Sequence, residues 1–431
     1  MQNTNIKILL LGSFFLLSLA PIGIETAIFW NNLESLKDFF NFFRLVIPVV
    51  IFIILSLFFI KQLQIKILLN NFFIFFYFVI IFITTLINLE NSKEIDKLLL
   101  PLYCINYIFL ALLVLNINDI KKEFNKFIFL QFLIITILTT FTLFNFFYSF
   151  ANLNLSDLYN LKIENNFYNQ NSNGLSRILL IISLYILLVN KKNQYLYLSC
   201  ILVNTLIILL QSKLVLFFLL LFFLGKMFFE KSLIKEKIKE IFFILFIPVL
   251  ITFFISSINT TQADSGLRIA QEIKKDIKTI NQPFDSNIFT GFKVRIETWK
   301  EITNNSSKPG IGYGSQADRY LAKNLPSHTQ LAANSFIYAY ACAGLLGVAA
   351  IIIIYFNIIK LIIKRILATN LKNKINNVQI FYIVVLSFLI IRSIVENSFA
   401  VWGIDFILMI NCYLGLKSSS IKLNNKKYLF K

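Results

Sequence analysis

The stretch NSFIYAYACAGLLGVAAIIIIYFNII, residues 334–359, carries no charged side chain in 26 positions. As a helix it outruns the roughly 30 Å hydrocarbon layer of a bilayer at about 1.5 Å per residue. Similar apolar runs occupy 6–29, 44–60, 67–88, 98–116, 127–149, 177–189, 195–210, 213–229, 241–257, 378–395 and 400–416. The chain is 57% hydrophobic and 15% charged, with mean hydropathy +0.73, outside the range of an ordinary soluble domain. These features predict an all-α, polytopic integral membrane protein of about 12 transmembrane helices.

Basic residues flanking membrane spans are retained in the cytoplasm, which sets the orientation. Lys7, Lys61, Lys66, Lys121, Lys122, Lys126, Lys191 and Lys192 fall on one side, together with the cluster from Lys226 to Lys239. Lys360, Lys364, Arg365, Lys372, Lys374 and the lysines of the tail join them. Both termini are therefore expected in the cytoplasm. The expected order is a membrane domain of about nine helices over 1–257, an external loop over 258–333, further membrane helices over 334–416 and a cytoplasmic tail over 417–431.

The net charge of +19 is largely a signature of this topology, so nucleic-acid binding is not expected. The first apolar run lacks a small-residue cleavage pattern and is followed by many further spans, so it reads as a helix rather than a signal peptide. Cys104, Cys200, Cys342 and Cys412 stand alone within apolar runs, with no C-x-x-C spacing, and read as small buried residues. Glu94 and Asp96 have no histidine nearby, and no metal or cofactor is expected. P-loop, dinucleotide-binding, GxSxG and HExxH patterns are missing as well.

A loop as long as 258–333 is seldom idle. It begins with LRIAQEIKKDIKTI from Leu267, whose helical spacing of apolar and basic residues fits either a surface helix on the bilayer or packing within the loop. KVRIETWKEI follows, placing Arg295 and Trp299 four residues apart and on one face of a helix. KPGIGYGSQ has glycines at 310, 312 and 314 and reads as a tight turn. Next come Arg319 and His328, the chain's one histidine. Lys213 sits at an external turn and Arg177 heads a span, where a cation either snorkels or meets an anion. Arg392 and Glu396 are spaced i, i+4 near an outer helix end, as a self-neutralising pair or part of a polar cavity. Together these cations suit an anionic, lipid-borne substrate, with arginine favoured for bidentate phosphate contacts and a neutral imidazole able to accept a hydroxyl proton.

The order Ser212-Lys213, R-x-x-x-W at Arg295 and Trp299, KPGIGYGSQ and NSFIYAYACAGLLG resembles the O-antigen ligase and O-antigen polymerase family. The likeness is specific over roughly 205–350 and topological elsewhere. It implies a bacterial inner-membrane protein with a large periplasmic loop between its ninth and tenth helices. It also implies transfer of a glycan from an undecaprenyl-diphosphate carrier to a glycan acceptor, a lipid-linked repeat or lipid A core, without metal or cofactor.

The resemblance places Arg295 in the family's periplasmic arginine element. Gly310, Gly312, Tyr313 and Gly314 match its P-x-x-GYG turn, and Asn334, Gly344 and Gly347 its N-x9-G-x-x-G stretch. In that scheme Arg295 and Lys213 contact the diphosphate, Arg319 and Arg177 are further candidates, and His328 orients or deprotonates the acceptor. Trp299, Tyr313, Asn334, Arg392 and Glu396 shape the site. Two positions depart from the pattern: Lys213 stands where ligases commonly have arginine, and Ala333 precedes Asn334 where they often have histidine. Both departures lean towards a polymerase. The competing expectation is a twelve-span secondary transporter or lipid-linked glycan flippase, which calls for related halves and spans interrupted near the midplane.

Overall fold

The computed structural model describes residues 69–88, 172–189, 194–209, 213–229, 246–250, 290–325, 331–370, 377–396, 405–406 and 408–417. Among these the regular elements are helical and there is no strand. In chain order they are α1 (Phe72–Ile87), α2 (Ser172–Leu188), α3 (Gln194–Leu209), α4 (Lys213–Phe229), α5 (Thr290–Asn305), α6 (Ala317–Leu321), α7 (Ser335–Asn370) and α8 (Asn377–Val395). Helical residues 408–417 follow. The runs expected at 67–88, 177–189, 195–210, 213–229 and 378–395 correspond to α1, α2, α3, α4 and α8. The run from 334 continues to Asn370 in α7. The spans expected at 6–29, 44–60, 98–116 and 127–149, the stretch from Leu267 and His328 lie outside the described residues.

The chain forms two compact units. One contains α2, α3 and α4. Within it α3 and α4 both pack on α2. Residues 176–187 of α2 are buried all round, as expected of a helix without a polar face. Inside, the Ser183 hydroxyl donates to Asn204 Oδ1 at 2.8 Å, and Thr205 donates to its own helix at the Ile201 carbonyl at 2.8 Å. At roughly 1.5 Å per residue these helices are about 25 Å long, just short of the roughly 30 Å hydrocarbon layer.

The other unit contains α1, α5 through α8 and residues 408–417. Here α1, α6 and α8 pack against α7. Two stretches, Ser335–Leu367 and Asn377–Val395, are long and apolar enough to cross a membrane. α7 exposes Leu345, Leu346, Ile352, Ile353, Phe356, Ile359, Ile363, Ile366 and Leu367, recurring at intervals of about three and four residues. Such an apolar surface, broken by charge only at Lys360 and Lys364, is a liability in water and matches hydrocarbon.

Contacts define the two ends of this unit. At one end Lys417 Nζ donates to Asn71 Oδ1 at 2.8 Å, and Arg365 Nη2 to the Leu416 carbonyl at 2.6 Å. Close by, Gly415 lies where any Cβ would meet the Tyr382 ring at 2.6 Å, so glycine permits the approach of 408–417 to α8. At the other end, the C-terminus of α1, the N-terminus of α7 and the C-terminus of α8 converge with residues 295–325 and 331–334.

Candidate functional site

The glycine turn is the anchor of this end. Gly344 interrupts α7 with φ 60° and ψ −154°, which breaks the helical hydrogen-bond ladder. The freed groups are taken up by the turn. Tyr313 N–H donates to the Ala341 carbonyl at 3.0 Å, Gly314 N–H to Cys342 at 2.8 Å, and Leu345 N–H to the Pro309 carbonyl at 2.8 Å. Thr84 of α1 adds a hydroxyl to the Cys342 carbonyl at 3.0 Å. Irregular backbone among apolar helices is tolerated only when its polar groups are satisfied within the protein, as they are here.

The interlock requires glycine on both sides. A Cβ at Gly312, where φ is +79°, would lie 2.5 Å from Gly344 N, and one at Gly344 would lie 2.5 Å from the Gly310 carbonyl carbon. Ser315 N–H donates to Thr85 Oγ1 at 2.9 Å and Lys308 Nζ to Asn88 Oδ1 at 2.9 Å, tying the turn to the end of α1. The Tyr313 hydroxyl is fixed by Ser307, and its ring lies 6.2 Å from that of Tyr320, centroid to centroid.

α5 presents Arg295 and Trp299 on one face, as their i, i+4 spacing predicts. The Trp299 indole donates to the Ala332 carbonyl at 2.5 Å, and Ala332 N–H in turn donates to Asp318 Oδ2 at 3.0 Å. Burial raises the Asp318 pKa above its ordinary value, opposed by hydrogen bonds from the Ala332 and Arg319 N–H groups. Asp318 thus clamps the stretch of chain that leads into α7, a role its exposed neighbour Arg319 does not share.

The C-terminal carbonyls of a helix lack partners within it. In α8 and the residue after it, three successive carbonyls are met by side chains from elsewhere. Asn334 Nδ2 donates to Ile394 at 2.7 Å, Arg295 Nη1 to Val395 at 2.5 Å and the Ser335 hydroxyl to Glu396 at 3.2 Å. Arg295 also complements the negative end of the helix dipole. Asn334 caps the start of α7 as well, its Oδ1 accepting from Phe336 and Ile337 N–H at 2.8 and 3.1 Å. Arg295 Nη2 then lies 3.6 Å from Glu396 Oε1, with the two side chains 32% and 27% exposed.

The structure therefore gathers Arg295, Asn334 and Glu396 at one helix end, with Trp299 holding Ala332 and Tyr313 on the turn docked at Ala341 further along α7. Arg392 goes elsewhere. It pairs with Asp405 at 3.1 Å, both nearly buried, so the expected i, i+4 pair with Glu396 does not form. Glu396 lies past the end of α8, where helical spacing no longer applies. Arg177, buried in α2, and Lys213, the first residue of α4, belong to the other unit. Sequence reasoning missed Asp318, Ser335 and Asp405. Asp405 had a legible signal, being an acid alone inside the apolar run 400–416.

Among the described residues no cluster of three His, Cys, Asp or Glu is placed to hold a metal ion. No protein-family model, curated protein or solved structure matches this chain.

Proposed function

We propose that this chain is a bacterial inner-membrane glycosyltransferase of the O-antigen polymerase or ligase kind. It moves a glycan from an undecaprenyl-diphosphate carrier to a lipid-linked repeat or lipid A core at the periplasmic face. The observation that carries this reading is the meeting of three separate sequence elements in one assembly. The R-x-x-x-W pair, the glycine turn and the N-x9-G-x-x-G stretch all meet the first turns of α7 or the residues leading into it, and the Arg295 side chain there is 32% exposed.

A guanidinium carries five N–H donors in a planar fork suited to phosphate. The Val395 carbonyl and Glu396 occupy only part of Arg295. In the proposed reaction the acceptor hydroxyl oxygen attacks the anomeric carbon, and the bond from that carbon to the diphosphate oxygen breaks. The electron pair leaves with the lipid diphosphate, where Arg295 stabilises the growing charge. Arg319, in the same unit, remains a candidate for a further contact with the diphosphate. The positive-inside pattern assigns the assembly's end of α1, α7 and α8 to the periplasm, where the donor's glycan is presented.

The broken helix α7 is also a feature of secondary transporters, whose unwound segments coordinate substrate or ions. In this chain the groups freed at Gly344 are consumed by the glycine turn rather than offered to a cavity, which favours the transferase.

The test is deletion of the gene in its host followed by gel analysis of surface lipopolysaccharide. Loss of the ladder with single-repeat molecules retained indicates a polymerase. Loss of all capped core, with polymerised lipid-linked glycan accumulating, indicates a ligase. An unchanged profile refutes both.

A further inference from the structure

Glu396 is poorly explained as a purely structural partner of Arg295. Charge-assisted hydrogen bonds of a carboxylate with a guanidinium are usually about 2.7–2.9 Å long. The contact here is 3.6 Å, and both side chains are partly exposed. The surrounding backbone does not depend on the carboxylate. The carbonyls of residues 394, 395 and 396 are held by Asn334, Arg295 and Ser335, so the Glu396 side chain can turn away while its main chain stays fixed.

Other described carboxylates around this end are committed or misdirected. Asp318 is buried and holds Ala332 N–H, while Glu301 accepts from Asn305 and Asn324. Asp405 is paired with Arg392, and Glu297 lies two residues from Arg295, on a different face of α5.

Resting on the transferase reading above, we infer that Glu396 occupies Arg295 as a stand-in anion until the donor's diphosphate displaces it, and that the released carboxylate then takes the proton of the acceptor hydroxyl. A diphosphate offers the fork more charge and more acceptor oxygens than one carboxylate does. Displacement frees a base beside the reacting centre only when the donor is bound. The O–H bond breaks, its proton passes to Glu396, the oxygen forms its bond to the anomeric carbon, and the lipid diphosphate departs with the electron pair of the broken bond. The transferred proton then returns to solvent, and Glu396 closes on Arg295 once the diphosphate leaves. The carboxylate thereby couples base availability to donor occupancy.

The experiment uses the full chain in nanodiscs, with wild type, Glu396→Gln, Glu396→Asp and His328→Ala compared. Undecaprenyl diphosphate is titrated by tryptophan fluorescence, and transfer is followed separately from a lipid-linked glycan donor. Glu396→Gln is expected to bind undecaprenyl diphosphate about fivefold more tightly, since a competing anion is gone. Its transfer rate should fall about 100-fold, the usual scale of a lost general base. Glu396→Asp should recover at least part of that rate.

Transfer by Glu396→Gln within about threefold of wild type, or weaker binding of the diphosphate lipid, overturns the inference. So does inactivity of Glu396→Asp equal to that of Glu396→Gln. Loss of transfer in His328→Ala alone returns the proton to the histidine. Wild type that neither binds the lipid nor transfers glycan overturns the transferase reading itself, a result distinct from failure of the glutamate variants alone.

Discussion

Replacing Gly344 with alanine attacks the interlock that builds the candidate site. An alanine there must hold φ near +60° with ψ near −154°, a region essentially reserved for glycine, at a cost of about 1–3 kcal/mol. Its Cβ would sit 2.5 Å from the Gly310 carbonyl carbon, so the turn must withdraw. Withdrawal loosens three backbone hydrogen bonds, from Tyr313, Gly314 and Leu345. At about 1 kcal/mol each, the total comes to about 5 kcal/mol.

Gly310→Ala is the matched control, because a Cβ there meets nothing within 4 Å. Its change should stay within about 0.5 kcal/mol. Thermal unfolding of detergent-solubilised protein, at one scan rate and read by tryptophan fluorescence with size-exclusion profiles, compares the two. For a chain of this size, Gly344→Ala should melt about 5–10 °C lower than wild type. A melting temperature for Gly344→Ala within about 1 °C of wild type, or an equal drop for Gly310→Ala, refutes the interlock.

Arg295→Lys keeps the charge but loses the fork that spans the Val395 carbonyl and Glu396. It should lower transfer about 100-fold in the lipid-linked assay, and a near-normal rate would remove Arg295 from the site. Asp318 has its folded pKa raised above 3.8 by burial, so its contribution to stability is fully present below about pH 4 and is lost as pH rises through the raised value. Asp318→Asn should flatten that decline in melts between about pH 4 and 7 while still accepting from Ala332, and an unchanged slope would contradict the linkage. Breaking the buried Arg392–Asp405 pair with Asp405→Leu should cost about 3–5 kcal/mol, and adding Arg392→Met should restore much of it. Equal stability of the single and double variants, measured by the same melts, would show the charges uncoupled.

The helices themselves were legible because an apolar run long enough for a bilayer leaves the backbone little choice but to bond within itself. That local rule gave α3, α4 and α8 to within a residue, and i, i+4 spacing put Arg295 and Trp299 on one face of α5. It also marked 310–314 as a turn. What it did not reveal was the turn's destination. The Ala-Gly-Leu-Leu-Gly stretch at 343–347 reads as ordinary small residues of a span, and its break at Gly344 exists only because another segment supplies hydrogen bonds in its place.

Partner choice was likewise beyond the sequence. Spacing suggested Arg392 with Glu396, yet α8 ends at Val395, and Asp405 and Arg295 claim the two charges instead. Among the described residues the sequence alone determined which apolar runs are helical, because that depends on neighbours along the chain. Only the tertiary structure decided which carbonyl Arg295 meets, which acid neutralises Arg392 and where the glycine turn docks, because buried polar groups take their partners from whatever packing brings within reach.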